Sequence, residues 1–325
     1  MTMQVGAGGD GVAFESRAGS RLLRSVAIVT HCVQSLDLAR SAWTDLLGYR
    51  LVDEGTLDAD SCATWDTPAA LDQRWCLLQP ASGDDCFIRF IETGERGHPP
   101  PASRGWCATE LLVTDTDQLA RELAGTGFRR LGGPGDLYPR PNAPRAMQVI
   151  GPSGELVYFT RLLPGGSRYG LKQARSRVDR PFIVTVGSPD GEALHRFYGE
   201  TLGLRIMDRT PFMNGILALL CEAPPHTVFP TAVASLPGRR FLVELDEFPS
   251  HVGPRARRPG HLPRGMAMVS FRVTSLDTLA GWPLRAPPRT LAGPVYAGCR
   301  VAVIEGSAGE WLELIETGAQ GAGAI

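Results

Sequence analysis

Two glutamates stand where strand-like runs would otherwise be apolar: Glu244 in FLVELDEF and Glu313 in WLELIETG. Period-two alternation puts Leu242, Glu244 and Asp246 on one face, and Trp311, Glu313 and Ile315 on another. A carboxylate held between apolar neighbours is desolvated, which raises its pKa toward the range where it gives and takes a proton near neutral pH. The competing reading is a rim glutamate paired with an arginine. Glu110 in WCATELLV and Arg272 in MAMVSFRV are equally out of place. Each either orients a substrate or forms a structural ion pair. Ser270 shares the face of Met268 and Arg272, while Thr30 and Cys32 share that of Ile28. His31, one residue out of phase, reads as a core or rim histidine.

The elements carrying these residues repeat four times along the 325-residue chain. Each unit opens with a strand (VAIVTHCV at 26–33, WCATELLV at 106–113, PFIVTV at 181–186, GMAMVSFRV at 265–273), continues with a helical pattern and closes with further strands. In the first unit Leu38, Ala42, Trp43, Leu46 and Leu47 form one apolar helical face. FIRFIETG echoes WLELIETG, VQSLD echoes VTSLD, DLLGYRLV echoes ETLGLRIM, and the turn in GPSGELVY matches that in GSAGEWLE. Residues 164–180, rich in Gly, Ser and basic side chains, read as a linker between an N-terminal domain (21–163) and a C-terminal domain (181–318), with 1–20 as a loose tail. The stretch 248–265, with His251, His261 and several arginines, reads as a solvated loop or as one covering a cavity mouth.

Composition narrows the function classes. With 33 basic against 34 acidic residues there is no global attraction for nucleic acid or an anionic membrane. No apolar run reaches the roughly 20 residues of a membrane span, and the N-terminus lacks a signal-like core, so a cytoplasmic protein is expected. Seven scattered cysteines without Cys-x-x-Cys suit reduced thiols. Phosphate-binding loops, a nucleotide-binding glycine fingerprint, a serine-nucleophile elbow and a zincin helix are all missing. His98 and His226 fall in Pro-rich loops and His195 on a helix, without an assigned role.

A βαβββ unit used four times, with an SLD-type turn, an LG helix end and a closing G-x-x-G-x-x-x-E-L strand, resembles the vicinal oxygen chelate superfamily of glyoxalases, extradiol dioxygenases and antibiotic-resistance proteins. The resemblance spans about Val26 to Thr317. It implies an α+β fold of four βαβββ modules forming two curved-sheet domains, with cups that in many members hold a divalent metal. The family's opening-strand histidine falls on Ile28, Ala108, Pro181 or Ile183, and Met268. Its closing-strand glutamate falls on Arg89, Tyr158, Glu244 and Glu313. Two carboxylates without imidazole are a poor fit to zinc or iron, although a hard ion through Glu313 stays open.

These readings combine into one expectation: a metal-independent lyase or isomerase acting on a small, apolar or aromatic carbonyl compound, with no cofactor. Glu244 and Glu313 act as paired acid and base in the cup of units three and four. Met268, Ser270, Arg272, Trp311, Glu110 and Tyr158 line it, with Phe241 nearby, and Tyr158 or Arg272 steadies an oxyanion. A sequestering protein for a hydrophobic compound and a metal-dependent ring-cleaving dioxygenase are the alternatives. The expected partner is a small-molecule substrate, with a homodimer open.

Overall fold

The computed structural model describes residues 22–94, 102–165, 169–207 and 209–317. The tail 1–20, His98 and part of the 164–180 segment lie outside the described residues.

The first unit contains β1 (Leu23–Val33), α1 (Leu36–Ser41) continued by a π-helical turn to Leu46, β2 (Arg50–Thr56), α2 (Ala59–Trp65), β3 (Arg74–Gln79) and β4 (Phe87–Glu92). The second has β5 (Gly105–Val113), α3 (Thr116–Glu122), β6 (Arg129–Asp136), β7 (Arg145–Ile150) and β8 (Leu156–Arg161). The third runs through β9 (Val178–Ser188), α4 (Gly191–His195), β10 (Arg205–Ile206), β11 (Thr210–Met213), α5 (Gly215–Leu220), β12 (Val228–Ser235) and β13 (Leu242–Glu247). The fourth has β14 (Gly265–Val273), β15 (Arg289–Thr290), β16 (Arg300–Glu305) and β17 (Trp311–Glu316).

The turn after each opening strand is a helix cap. Ser35 accepts from the Leu38 amide, Asp115 from Gln118 and Asp190 from Ala193, so one orphan N–H is satisfied at each start. The fourth unit departs from the repeat. Its SLD turn leads only into a 3₁₀ turn, Asp277–Leu279, because Gly281 and Pro283 follow and an interior proline cannot supply the next helical hydrogen bond.

The strands form two mixed sheets, ordered β15-β16-β17-β14-β1-β4-β3-β2 and β10-β12-β13-β9-β5-β8-β7-β6. The first therefore joins units one and four through the antiparallel pair β1/β14, and the second joins units two and three through β5/β9. Each sheet takes strands from both sides of the 164–180 segment. One apolar core spans the two sheets, with Trp43, Phe90, Trp106, Phe159, Tyr198 and Phe271 among its buried rings.

The repeated G-x-x-G-E turns tie the sheets to the helices. The Trp43 indole donates to Glu155 at 2.9 Å and the Tyr198 hydroxyl to Glu310 at 2.9 Å. Each glutamate also accepts a backbone amide within its own turn, from Ser153 and Ala308. A Cβ at Gly151 or Gly306 would collide with that folded-back carboxylate, which is why glycine recurs directly after each preceding strand. Among the described residues no helix is long and apolar enough to cross a membrane, and all seven cysteines are free.

Candidate functional site in the carboxylate cup

Parallel pairing of each opening strand with its closing strand fixes the four side chains at the centre of each concave face. In the first sheet Thr30 lies beside Arg89 and Ser270 beside Glu313. In the second Glu110 lies beside Tyr158 and Thr185 beside Glu244. The opening-strand positions are thus Thr30, Glu110, Thr185 and Ser270, two residues beyond Ile28, Ala108, Ile183 and Met268. A shift of two keeps the same face, so the inward direction survives while the residue changes.

The expected Glu244–Glu313 pair does not form, because the two residues belong to different sheets. Glu313 is fully buried and saturated with donors. The Trp65 indole donates to Oε1 at 2.7 Å, Tyr296 to Oε1 at 2.9 Å, Ser270 to Oε2, and the Arg89 guanidinium pairs with Oε2 at 3.4 Å. Arg89 donates further to Thr30 at 3.0 Å and Tyr296 at 2.5 Å and lies 4.7 Å from the Trp65 ring centre. Met268 and Trp311 pack with Trp65, Cys62 and Leu262 in the same cup. On the outer side of Trp311, Arg285 stacks at 3.7 Å. Trp65 of α2 and Tyr296 thus close over the Glu313–Arg89 pair.

A metal does not fit here. The four central groups are two hydroxyls, one carboxylate and one guanidinium, and the guanidinium already supplies the positive charge. Ser270, Met268 and Trp311 serve this packed network. Arg272 sits apart from both glutamates, paired with Asp85 at 2.8 Å near the sheet end. It takes the structural ion-pair role that competed with substrate orientation.

The second cup is built from the opposite electrostatics. Glu110 and Asp246 are buried and Glu244 is half-buried. Glu110 accepts from the Thr160 hydroxyl, and Asp246 from Thr231 at 2.8 Å. Among the described residues none of the three has an arginine, lysine or histidine partner, and Glu244 has no hydrogen-bond partner. Burial raises Glu110 from 4.5 to about 7. Burial and then the nearby Asp246 and Glu110 charges push Glu244 well above the usual carboxylate range, and burial raises Asp246. The Tyr158 phenol is raised by burial and by the acids around it.

Apolar walls surround these acids. Ile183, Leu242, Val233 and Leu112 lie toward one end with Leu171 of the inter-unit segment. Leu220 and Ile216 of α5, with Ile150 and Leu156, lie toward the other. Asn214 caps α5 by accepting from the Ile216 and Leu217 amides. The described residues contain no group of three or more His, Cys, Asp or Glu placed to hold a metal.

No family model and no curated protein matches the sequence. Solved structures do. Glyoxalase I from Zea mays matches at a TM-score of 0.60 with 12% identity, covering 90% of this chain and 92% of that one. A candidate dioxygenase from Bacillus subtilis matches at 0.61 with 11% identity, covering 92% and 87%. The chain has the vicinal oxygen chelate fold. At such identities the likeness extends to the fold alone, and function rests on the site. Within that fold this chain carries Arg89 and Tyr158 at two closing-strand positions and no histidine at the centre of either cup.

The remaining histidines divide. His251 Nε2 lies 2.6 Å from the Cys221 carbonyl and His261 Nδ1 lies 3.0 Å from that of Pro259. His31 is buried with neither ring nitrogen partnered. Alternation along β13 places Glu244 and Asp246 on one face, whereas Glu313 lies on β17 of the other sheet.

Proposed function

We propose that the second sheet's cup is an active site for metal-independent proton transfer on a small, largely apolar or aromatic carbonyl compound, as in a lyase or isomerase. The observation that carries this reading is the set of three carboxylates, Glu110 and Asp246 buried and Glu244 half-buried, gathered without a cation among the described residues. Uncompensated buried acids are costly to the fold, and perturbed acids of this kind cluster at functional sites.

Two environments suggest two roles. Glu110, near 7, is ionised in a large fraction of molecules at neutral pH and suits the base that removes a proton beside the carbonyl. Glu244, pushed well above the usual carboxylate range by burial and by the Asp246 and Glu110 charges, suits the acid that returns one to the neighbouring atom. Tyr158 can donate its phenolic hydrogen to the developing oxyanion. Ile183, Leu242 and Leu220 would exclude water and favour an apolar substrate body.

The test is hydrogen exchange in D₂O, followed by proton NMR, on a panel of aryl and alkyl α-hydroxy ketones and 2-oxo aldehydes. The wild-type protein should speed exchange of the hydrogen beside the carbonyl. Glu110→Gln should abolish that exchange while retaining binding. Saturable binding without any exchange would instead favour a sequestering protein.

A further inference from the structure

Where the sheets meet, the start of β5, the start of β14 and the end of β1 enclose a cavity of about 40 Å³. Its lining includes His31, Ser103, Trp106, Cys107, Glu155 and Arg255. Arg255 comes from the 248–265 stretch and enters between the sheets. Its guanidinium donates through Nε to Ser103 Oγ at 3.0 Å, through Nη1 to the carbonyls of Arg264 at 3.0 Å and Met266 at 2.7 Å, and through Nη2 to the carbonyl of Trp106. Four of its five N–H groups are engaged. Its charge has no carboxylate partner among the described residues, and burial pulls its pKa down to about 10.

His31 is 2% exposed, faces the same cavity and leaves both ring nitrogens unpartnered. A buried imidazole without a hydrogen bond and a half-buried cation without a counter-charge each cost the fold. One ligand satisfies both. The adjoining hollow is lined by Arg104, by Arg257, which is paired with Glu305 at 2.7 Å, and by Glu310. The Glu155 carboxylate, the negative group in the lining, is turned to the Trp43 indole and the Ser153 amide.

We infer that this cavity binds a small monoanionic carboxylate, with Arg255 and His31 as its grip. One buried water needs roughly 10–15 Å³ of such volume, so 40 Å³ admits three or four heavy atoms, the size of formate or acetate. One oxygen would accept the remaining Arg255 N–H and the other the His31 ring N–H. The site adjoins the apolar end of the carboxylate cup and shares Ile150, Leu156 and Leu220 with it, but its grip on an anion rests on Arg255 and His31 and does not depend on the proposed proton transfer.

Saturation-transfer NMR with sodium formate and sodium acetate tests this on the full chain. Saturable signals are expected from wild type, together with movement of the His31 ring ¹⁵N resonances. His31→Phe, which keeps ring packing, should weaken binding roughly ten-fold or more, and Arg255→Lys should weaken it further. The inference is overturned if wild type gives no saturable signal. It is equally overturned if His31→Phe, folded by circular dichroism, binds formate as wild type does.

Discussion

Replacing Glu110 by Gln should make the protein more stable at alkaline pH. In the unfolded chain this carboxyl titrates near 4.5, and in the folded protein burial holds it at about 7. Below 4.5 both states carry the proton and the site costs nothing. Between 4.5 and 7 the folded state binds more protons than the unfolded state, so stability falls as pH rises. Above 7 the loss levels off at about 3 kcal/mol, from roughly 1.4 kcal/mol per pH unit across the window. Glutamine keeps the acceptor for Thr160 and never ionises. Urea unfolding of both proteins from pH 4.5 to 9 isolates the effect as a difference, since carboxylates stabilised by arginines, such as Glu316, titrate alike in both. The curves should meet near pH 4.5 and separate by up to about 3 kcal/mol at pH 9, with the variant the more stable. Parallel curves, or a variant losing ground as pH rises, would refute a buried acid at this position.

In the first cup, Glu313→Gln should destabilise the fold by about 3–5 kcal/mol, because it leaves Arg89 buried without a counter-charge. Adding Arg89→Met to Glu313→Leu should recover most of that loss in the same urea assay; an equally damaged double variant would show that the pair does more than neutralise itself. At the Cys107 thiol, burial and the nearby Asp246 charge push the pKa well above its usual value. Iodoacetamide at pH 7.5 should therefore leave Cys107 unmodified in the folded protein and alkylate it in urea, as peptide mass mapping would show.

The fourfold repeat was legible because the units restate shared signals: an apolar opening strand in all four, a capping Ser or Asp in the first three, and a G-x-x-G-E turn in the second and fourth. The inward direction of Glu244, Glu110 and Glu313 was legible too, since alternation on a strand survives a two-residue slip. The partners of each unit were not. All four units present similar apolar opening strands, and which pair forms depends on register between strands up to 250 residues apart, as for Leu23 against Val273. Local pattern carries no information on that choice. His31 escaped for a related reason. The β1/β14 register shifts between Thr30 and His31, which turns the imidazole into the junction between sheets. Arg255 sits in a stretch without periodicity, so nothing in its neighbours announces four hydrogen bonds.

The two cups offer the same four positions with opposite charge arrangements, and exchanging one for the other tests whether position or composition governs the acids. Tyr158 occupies in the second sheet the place that Arg89 occupies in the first. Tyr158→Arg would bring a guanidinium toward Glu244, as Arg89 meets Glu313. A cation there favours the ionised carboxyl, which lowers the folded-state pKa of Glu244 and removes the penalty that wild type incurs as pH rises. Relative to wild type, the variant should gain stability as pH rises above the ordinary carboxylate value and lose proton-transfer activity, because an arginine beside the carboxyl favours its ionised form. Carbon-13 NMR of labelled glutamate would report the Glu244 titration directly. If that titration stays high in a folded Tyr158→Arg protein, the equivalence of the two closing-strand positions fails. The contrast between a neutralised first cup and an uncompensated second one would then lose its geometric basis.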